Sequence, residues 1–249
     1  MPRLSLALLL SLLCTGPALA DQVQVAVAAN FTAPMKEIAV AFERSSGHKA
    51  LLSFGATGQF HAQIHNGAPF EVLLAADSRT PQKLEEEGSA VAGSRFTYAE
   101  GQLVLWSADP ALIDASAQVL KSGQFRHLAI ANPKTAPYGS AALETLQALG
   151  VRDSLQGRLV QSENIAQCYQ FIATGNAALG FVAKSQVFLD GKLTSGSSWE
   201  VPASLHSPIL QDAVLLNQGK DNPAATALLA YLQSDEARAV IRRYGYRTE

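Results

Sequence analysis

The chain uses one local pattern several times: an apolar run ends in small polar residues and Gly, and a helix starts at once. The first copy is Val23 to Ala29 followed by Asn30-Phe31-Thr32, and the second is Ala50 to Phe54 followed by Gly55-Ala56-Thr57-Gly58. Strands that alternate with helices in this way specify an α/β fold with mostly parallel sheet. Each junction also leaves the first N–H groups of its helix without intrahelical partners and aims them, with short side-chain donors, into a crevice. A protein can hold an oxyanion that way without a positive charge, so the pattern points to anion capture rather than to catalysis.

The rest of the chain follows the same grammar. Met35, Ile38, Ala39 and Phe42 recur at i, i+3, i+4 and i+7 behind Pro34, which predicts a helix to about Ser45 with Gly47 as its stop. A short helix over Gln59–His65 ends at Asn66-Gly67, a strand covers Val72–Ala75, and Thr80-Pro81 caps a helix that ends at Gly88. From Leu103 the pattern starts afresh, with strands at Leu103–Trp106 and Leu128–Ala131, a turn at Ala136-Pro137-Tyr138-Gly139, and a helix carrying Leu143, Leu146 and Leu149. Strand Leu159-Val160 leads through Ser162-Glu163-Asn164 into a helix with Ile165, Tyr169 and Ile172. Ala178–Ala183 reads as a buried strand, Thr194–Ser198 as a polar loop, and Ile209–Leu216 as a strand. Helices then start at Asn222-Pro223 and at Ser234. The restart near Leu103 marks a second lobe, and the terminal helices need a sheet to cover, which the first lobe offers. A hydrophobic content of 48% supports two modest cores.

The first residues set the compartment. Met1-Pro2-Arg3 is a basic start, Leu4 to Leu13 an apolar run, and Ala18-Leu19-Ala20 a cleavage signal, so residues 1–20 read as a signal peptide and Asp21 as the mature start. The run falls short of the roughly 20 apolar residues that span a bilayer. Cys14 follows Leu13 where a lipidation signal wants a small residue, so simple cleavage into the periplasm is the reading. Cleavage leaves one cysteine, Cys168, and no intramolecular disulfide. The formal charge of −2 comes without a basic stripe, which argues against nucleic acid or an anionic membrane as partner.

Ordered pieces of the chain carry a family resemblance. Ala28-Ala29-Asn30-Phe31-Thr32, Ser53-Phe54-Gly55-Ala56-Thr57-Gly58, Asn66-Gly67-Ala68-Pro69, Ala75-Ala76-Asp77, Ser94-Arg95-Phe96-Thr97-Tyr98, Ala136-Pro137-Tyr138-Gly139 and Leu179-Gly180-Phe181-Val182 resemble the periplasmic molybdate-binding proteins of ABC transporters. The closing Tyr244-Gly245-Tyr246 resembles that family's ending. The resemblance covers essentially the whole mature chain. It implies a type II periplasmic-binding fold, two α/β lobes joined by a two-segment hinge with a tetrahedral oxyanion between them. Lobe I would be residues 21–98 and 205–249, lobe II residues 99–204, with crossings near Thr97–Gly101 and His206–Leu210. It also implies molybdate or tungstate as ligand, no cofactor, a monomer, and delivery to a membrane permease with its ATPase.

By the same resemblance, Asn30 offers its side-chain amide and a backbone N–H, Thr57 its hydroxyl and N–H, and Tyr138 and Ile165 their backbone N–H groups. The chain departs from some relatives at Ala183, where they have a Tyr whose hydroxyl reaches the anion, and the N–H of Ala29 or Gly58 is the substitute expected. Read alone, Asn30 and Thr57 are helix caps, Tyr138 is a turn residue, Ile165 is core and Asp77 is a strand-end cap. A site of donors alone favours a fully ionised dianion over phosphate, whose O–H needs an acceptor.

Other classes have weaker support. Sulfate or a related oxyanion is the alternative within the binding class. A secreted α/β hydrolase needs a nucleophile, base and orienter, and the chain has neither a Gly-x-Ser-x-Gly elbow nor a Gly-Lys-Ser/Thr phosphate loop. His61 and His65 stand at i, i+4 without the Glu of an H-E-x-x-H zinc motif. Cys168, between Gln167 and Tyr169, reads as small core filling rather than a nucleophile. The reading is therefore of a binding protein with no metal-cation site.

Overall fold

The computed structural model describes residues 21–248; residues 1–20, read from the sequence as a signal peptide and including Cys14, lie outside them. The first part of the chain runs β1 (Gln22–Ala28), a 3-10 turn (Ala29–Phe31), α1 (Thr32–Ser46), β2 (Lys49–Gly55), α2 (Thr57–His65), β3 (Val72–Leu74), α3 (Arg79–Glu86) and β4 (Phe96–Gly101). It continues through β5 (Leu103–Ser107), α4 (Gln118–Ser122), β6 (Leu128–Ala131), α5 (Pro137–Ala148), α6 (Arg152–Leu155), β7 (Leu159–Ser162), α7 (Ile165–Ala173) and β8 (Leu179–Ala183). The last part holds α8 (Lys184–Val187), β9 (Phe188–Leu189), β10 (Lys192–Leu193), β11 (Ser197–Glu200), β12 (Ile209–Leu215), α9 (Pro223–Leu232) and α10 (Asp235–Arg243).

These strands build two five-stranded sheets, ordered β2-β1-β3-β12-β4 and β11-β5-β8-β6-β7, one in each lobe. In the first, β1 is parallel to β2 and β3, while β12 is antiparallel to β3 and β4. In the second, β6 is parallel to β7 and β8, while β5 is antiparallel to β8 and β11. Four strands of each sheet thus share a direction and one is reversed. The reversed strands, β5 and β12, are the ones that follow a passage between lobes, through Gln102 and through residues 201–208. A strand that enters its sheet from the interlobe side runs away from that side, whereas the strands of the β-α units end there. The sheets are mostly parallel in direction, but half of their pairings are antiparallel.

Local signals explain most helix ends. Gly47 closes α1 at φ 76°, the left-handed conformation that costs Gly least. Asn222 accepts from Ala224 N–H and Ser234 from Ala237 N–H at the starts of α9 and α10. Four details differ from the sequence reading. Helix α2 begins at Thr57, two residues early. Pro137-Tyr138-Gly139 is the first turn of α5 rather than a separate turn, because Pro at the first helical position is preorganised for it. Thr80 lies inside α3 and its N–H donates to Asp77 Oδ1 at 2.9 Å, so Asp77 supplies the cap. Ser197 and Ser198 belong to strand β11, paired with β5, where tertiary pairing outweighs their polar composition.

The first sheet is covered on both faces. Val23, Val25 and Val27 of β1 pack with Met35, Ile38 and Phe42 of α1, Leu228 of α9 and Ile241 of α10. Ala26, Leu73 and Val214 pack with Phe60 of α2 and Leu84 of α3 on the other side. Burial of both faces accounts for the unbroken apolar runs of these strands. The second core joins Leu105, Trp106, Leu128, Ile130, Leu146, Ile172 and Phe181. Cys168 belongs to this core: burial pushes its thiol up to about 12, and its Sγ donates to Phe181 O at 3.2 Å. That thiol holds its proton at neutral pH and is a packing group. Among the described residues no helix is long and apolar enough to cross a membrane.

Candidate functional site

Four strand-to-helix junctions meet at the boundary between the lobes. They are the turn from β1 to α1, the start of α2 after β2, the start of α5 after β6, and the start of α7 after β7. Together they enclose a cavity lined by Ala28, Ala29, Asn30, Thr57, Tyr138 and Ile165 with Gly55, Ala56, Ala76, Ala136, Pro137 and Asn164. Its volume is about 10 Å³, so it suits only a compact solute. No Asp, Glu, Lys, Arg or His lines it. The positive ends of the helix dipoles supply the electrostatic character instead.

The hydrogen-bond pattern at each junction leaves at least one N–H over. In α7, Asn164 Oδ1 accepts from Ala166 N–H and Gln167 N–H, and Cys168 N–H bonds to Asn164 O, which leaves Ile165 N–H. In α5, Gly139 and Ser140 N–H bond to Ala136 O and Pro137 has no N–H, which leaves Tyr138 N–H. In α2, Gly58 N–H bonds to Thr135 O, and Gln59 and Phe60 N–H bond to Ala56 O, which leaves Thr57 N–H. Asn30 N–H precedes the first bond of its 3-10 turn. None of these four groups has an acceptor among the described residues. Buried N–H groups are nearly always paired, so four facing one cavity call for an external acceptor. Thr57 adds a fifth donor: its Oγ1 accepts from Ala76 N–H at 2.9 Å, and its own proton has no acceptor among the described residues.

Two residues named from the sequence behave differently. Gly58 does not line the cavity, because its N–H is committed across the boundary to Thr135 O at 2.9 Å. The Asn30 side chain is buried, but its amide donates to Gln211 Oε1 and to Tyr246 Oη, both at 2.9 Å, so it faces the protein and not the solute. Ala29 lines the cavity. Ala183 does not, and its N–H donates to Gln186 Oε1 at 2.9 Å, while Gln186 Nε2 steadies the start of α7 by donating to Ile165 O at 3.0 Å.

Beneath the cavity lies a buried polar cluster that the sequence reading missed. Besides the two bonds of Asn30, Gln211 Nε2 donates to Tyr138 Oη at 3.0 Å, and Ser185 Oγ donates to Asn30 O at 2.7 Å. In the sequence Gln211 shows as one of two polar residues, with Asp212, inside the otherwise apolar Ile209–Leu216. Burial raises the phenols of Tyr98 and Tyr138 well above their ordinary value and raises Tyr246 as well. All three therefore keep their protons far above neutral pH. With no charged group in the lining, affinity for a fully ionised dianion is expected to change less than about twofold between about pH 6 and 9, since free Tyr titrates near 10. Titration calorimetry at several pH values checks this, and a steep slope would mean that an ionisable group reaches the ligand.

A second, wider cleft of about 700 Å³ adjoins the cavity through Ala76, Ala136 and Pro137 and carries Asp77, Arg79, Lys83, Lys134 and Glu144 on its walls. Asp77 holds its cap position there, its carboxyl raised chiefly by burial against the opposing bonds from Thr80. His61 pairs with Glu87 at 3.0 Å, and among the described residues no group of three or more His, Cys, Asp or Glu is placed to hold a metal ion.

Residues 23–247 match the family model described as bacterial extracellular solute-binding protein. The chain belongs to that family. It is 61% identical over 244 residues to the molybdate-binding protein ModA of Azotobacter vinelandii, covering 98% of this chain and 96% of that one. It is 55% identical over 233 residues to the ModA of Rhodobacter capsulatus, covering 94% and 91%. Among solved structures it is similar to the periplasmic molybdate-binding protein of Azotobacter vinelandii, with a TM-score of 0.88, 40% identity, and coverage of 91% of this chain and 99% of that one. The fold is accordingly the two-lobed type II periplasmic-binding architecture. A solute-binding protein holds its ligand and releases it unchanged, so the chain is not an enzyme and needs no cofactor.

Proposed function

We propose that this protein captures molybdate, and tungstate with it, between its lobes and delivers the anion to an ABC permease and its ATPase. The observation that carries the reading is the set of four unpartnered N–H groups, of Asn30, Thr57, Tyr138 and Ile165, around an uncharged cavity. The names of its relatives supply the ligand. In this reading the protein works as a periplasmic monomer after loss of residues 1–20. The chain divides at Gln102 and near residue 205, with the two crossings acting as a hinge.

Five donors contribute about 1.5–3 kcal/mol each to a charged acceptor. Closing and ordering the lobes offsets part of that. The remainder falls in the micromolar to nanomolar range, about −8 to −12 kcal/mol. The site offers donors without acceptors, so a phosphate that retains an O–H would bury it unpaired at about 1–3 kcal/mol. Sulfate is a dianion as well, and the separation from molybdate rests on cavity size.

The test is calorimetric titration of Asp21–Glu249 with molybdate, tungstate, sulfate and phosphate. Tight one-to-one heat with the first two and little with the others supports the proposal; tight sulfate binding with silence from molybdate overturns it. Thr57→Val removes the hydroxyl at nearly constant volume, and Asn30→Ala removes two buried bonds. Each is expected to weaken molybdate by about 1–3 kcal/mol, and wild-type affinity in both would refute the site.

A further inference from the structure

We infer that Gln211 is the positioning residue that locks the two halves of the anion site to each other. The inference rests on the binding role proposed above for Asn30 and Tyr138. Gln211 sits on β12, the strand that follows the second passage between lobes, and its side chain is fully buried at 0% exposure. Its Oε1 accepts from Asn30 Nδ2 at 2.9 Å and from Tyr98 Oη at 3.0 Å, and its Nε2 donates to Tyr138 Oη at 3.0 Å. Asn30 and Tyr138 are stations of opposite lobes, and each presents its backbone N–H to the cavity. One amide thus holds both by their side chains while touching no ligand.

The backbone is shaped for this contact. Gln211 pairs with Ala99 and Asp212 with Thr97, so Tyr98 is the extra residue of a bulge on β4. Bulges re-aim side chains beside functional sites, and here Tyr98 Oη reaches Ala75 O at 3.0 Å as well as Gln211. At the same level β4 carries Gly101, where a Cβ would collide with Tyr138 Oη and Gln211 Nε2. Strand register, the bulge and a glycine converge on one amide, and that amide is bonded to residues of both lobes.

The test is a double-mutant cycle in the mature protein, with molybdate as the probe. Tyr138→Phe removes the one bond between the two side chains and is expected to weaken binding about tenfold, and Gln211→Met, which removes that same interlobe bond along with those to Asn30 and Tyr98, by at least as much. The double variant is expected to be little weaker than Gln211→Met alone, because both remove the same link. Small-angle scattering should show the molybdate-induced contraction of wild type diminished in the single variants but intact in Thr57→Val at saturation, which separates positioning from loss of a ligand contact. Losses that multiply in the double variant, or wild-type affinity in Gln211→Met, would overturn the inference. If Gln211→Met does not fold, Tyr138→Phe decides alone: a tenfold loss with an unchanged ligand-free melt supports the link, and wild-type affinity overturns it. Silence of the wild-type protein toward all four oxyanions is a separate result, which overturns the binding reading and this inference with it.

Discussion

Gly101→Ala is expected to weaken molybdate binding more than about thirtyfold while leaving the secondary structure in place. The added methyl would overlap Tyr138 Oη and Gln211 Nε2 and come within 3.0 Å of Tyr138 Cζ. Far ends of side chains usually move aside at small cost, but Tyr138 is 2% and Gln211 0% exposed, so neither has solvent to swing into. Overpacking costs about 1–3 kcal/mol, and a buried amide forced off its partner costs about 1–3 kcal/mol more. Titration calorimetry with circular dichroism on the same samples measures both halves of the prediction. Wild-type affinity would mean that the cluster under the cavity has no part in holding the anion.

Gly139→Ala acts on stability first. A Cβ there would run into Ala131 O and lie 2.8 Å from Ala131 C and 3.0 Å from Asn132 C, all of them backbone at the end of β6. No rotamer relieves such a contact, so α5 must lift from the sheet that carries it. The expected loss is about 3 kcal/mol or more, the upper end for overpacking. For a chain of this size that lowers the melting temperature by about 6–12 °C. Differential scanning calorimetry of the ligand-free protein checks it, and a melt within a degree of wild type would show that α5 packs more loosely than its geometry implies. Tyr138 N–H lies one residue away, so the surviving folded fraction is expected to bind weakly too.

The sequence was most legible where one residue type has one physical use. Gly47, Asn222 and Ser234 mark helix ends through backbone conformation and side-chain caps. The alternation of apolar runs with helices gives the α/β class, and the donors of Asn30, Thr57, Tyr138 and Ile165 stand at strand-to-helix junctions that local pattern can find. What could not be read depends on partners distant in the chain. The amide of Asn30 turns toward Gln211 and Tyr246, 181 and 216 residues away, so its direction is set by β12 and the C-terminus. Gly58 looks like a donor at a helix start, yet Thr135, from the other lobe, takes its N–H. Ser197 and Ser198 read as loop because nothing in their own composition announces that β5 offers an edge to pair with.

The four unpartnered N–H groups also make the outline of the protein a message. Lobes that meet around nothing strand these dipoles away from water, at about 1–3 kcal/mol apiece, whereas lobes that meet around an anion are held together by the same dipoles. In the proposed function, occupancy moves the balance of shapes by several kcal/mol, enough to turn a rare outline into the prevailing one. A receptor that touches only the outer surface can then tell a full carrier from an empty one without contact with the cargo.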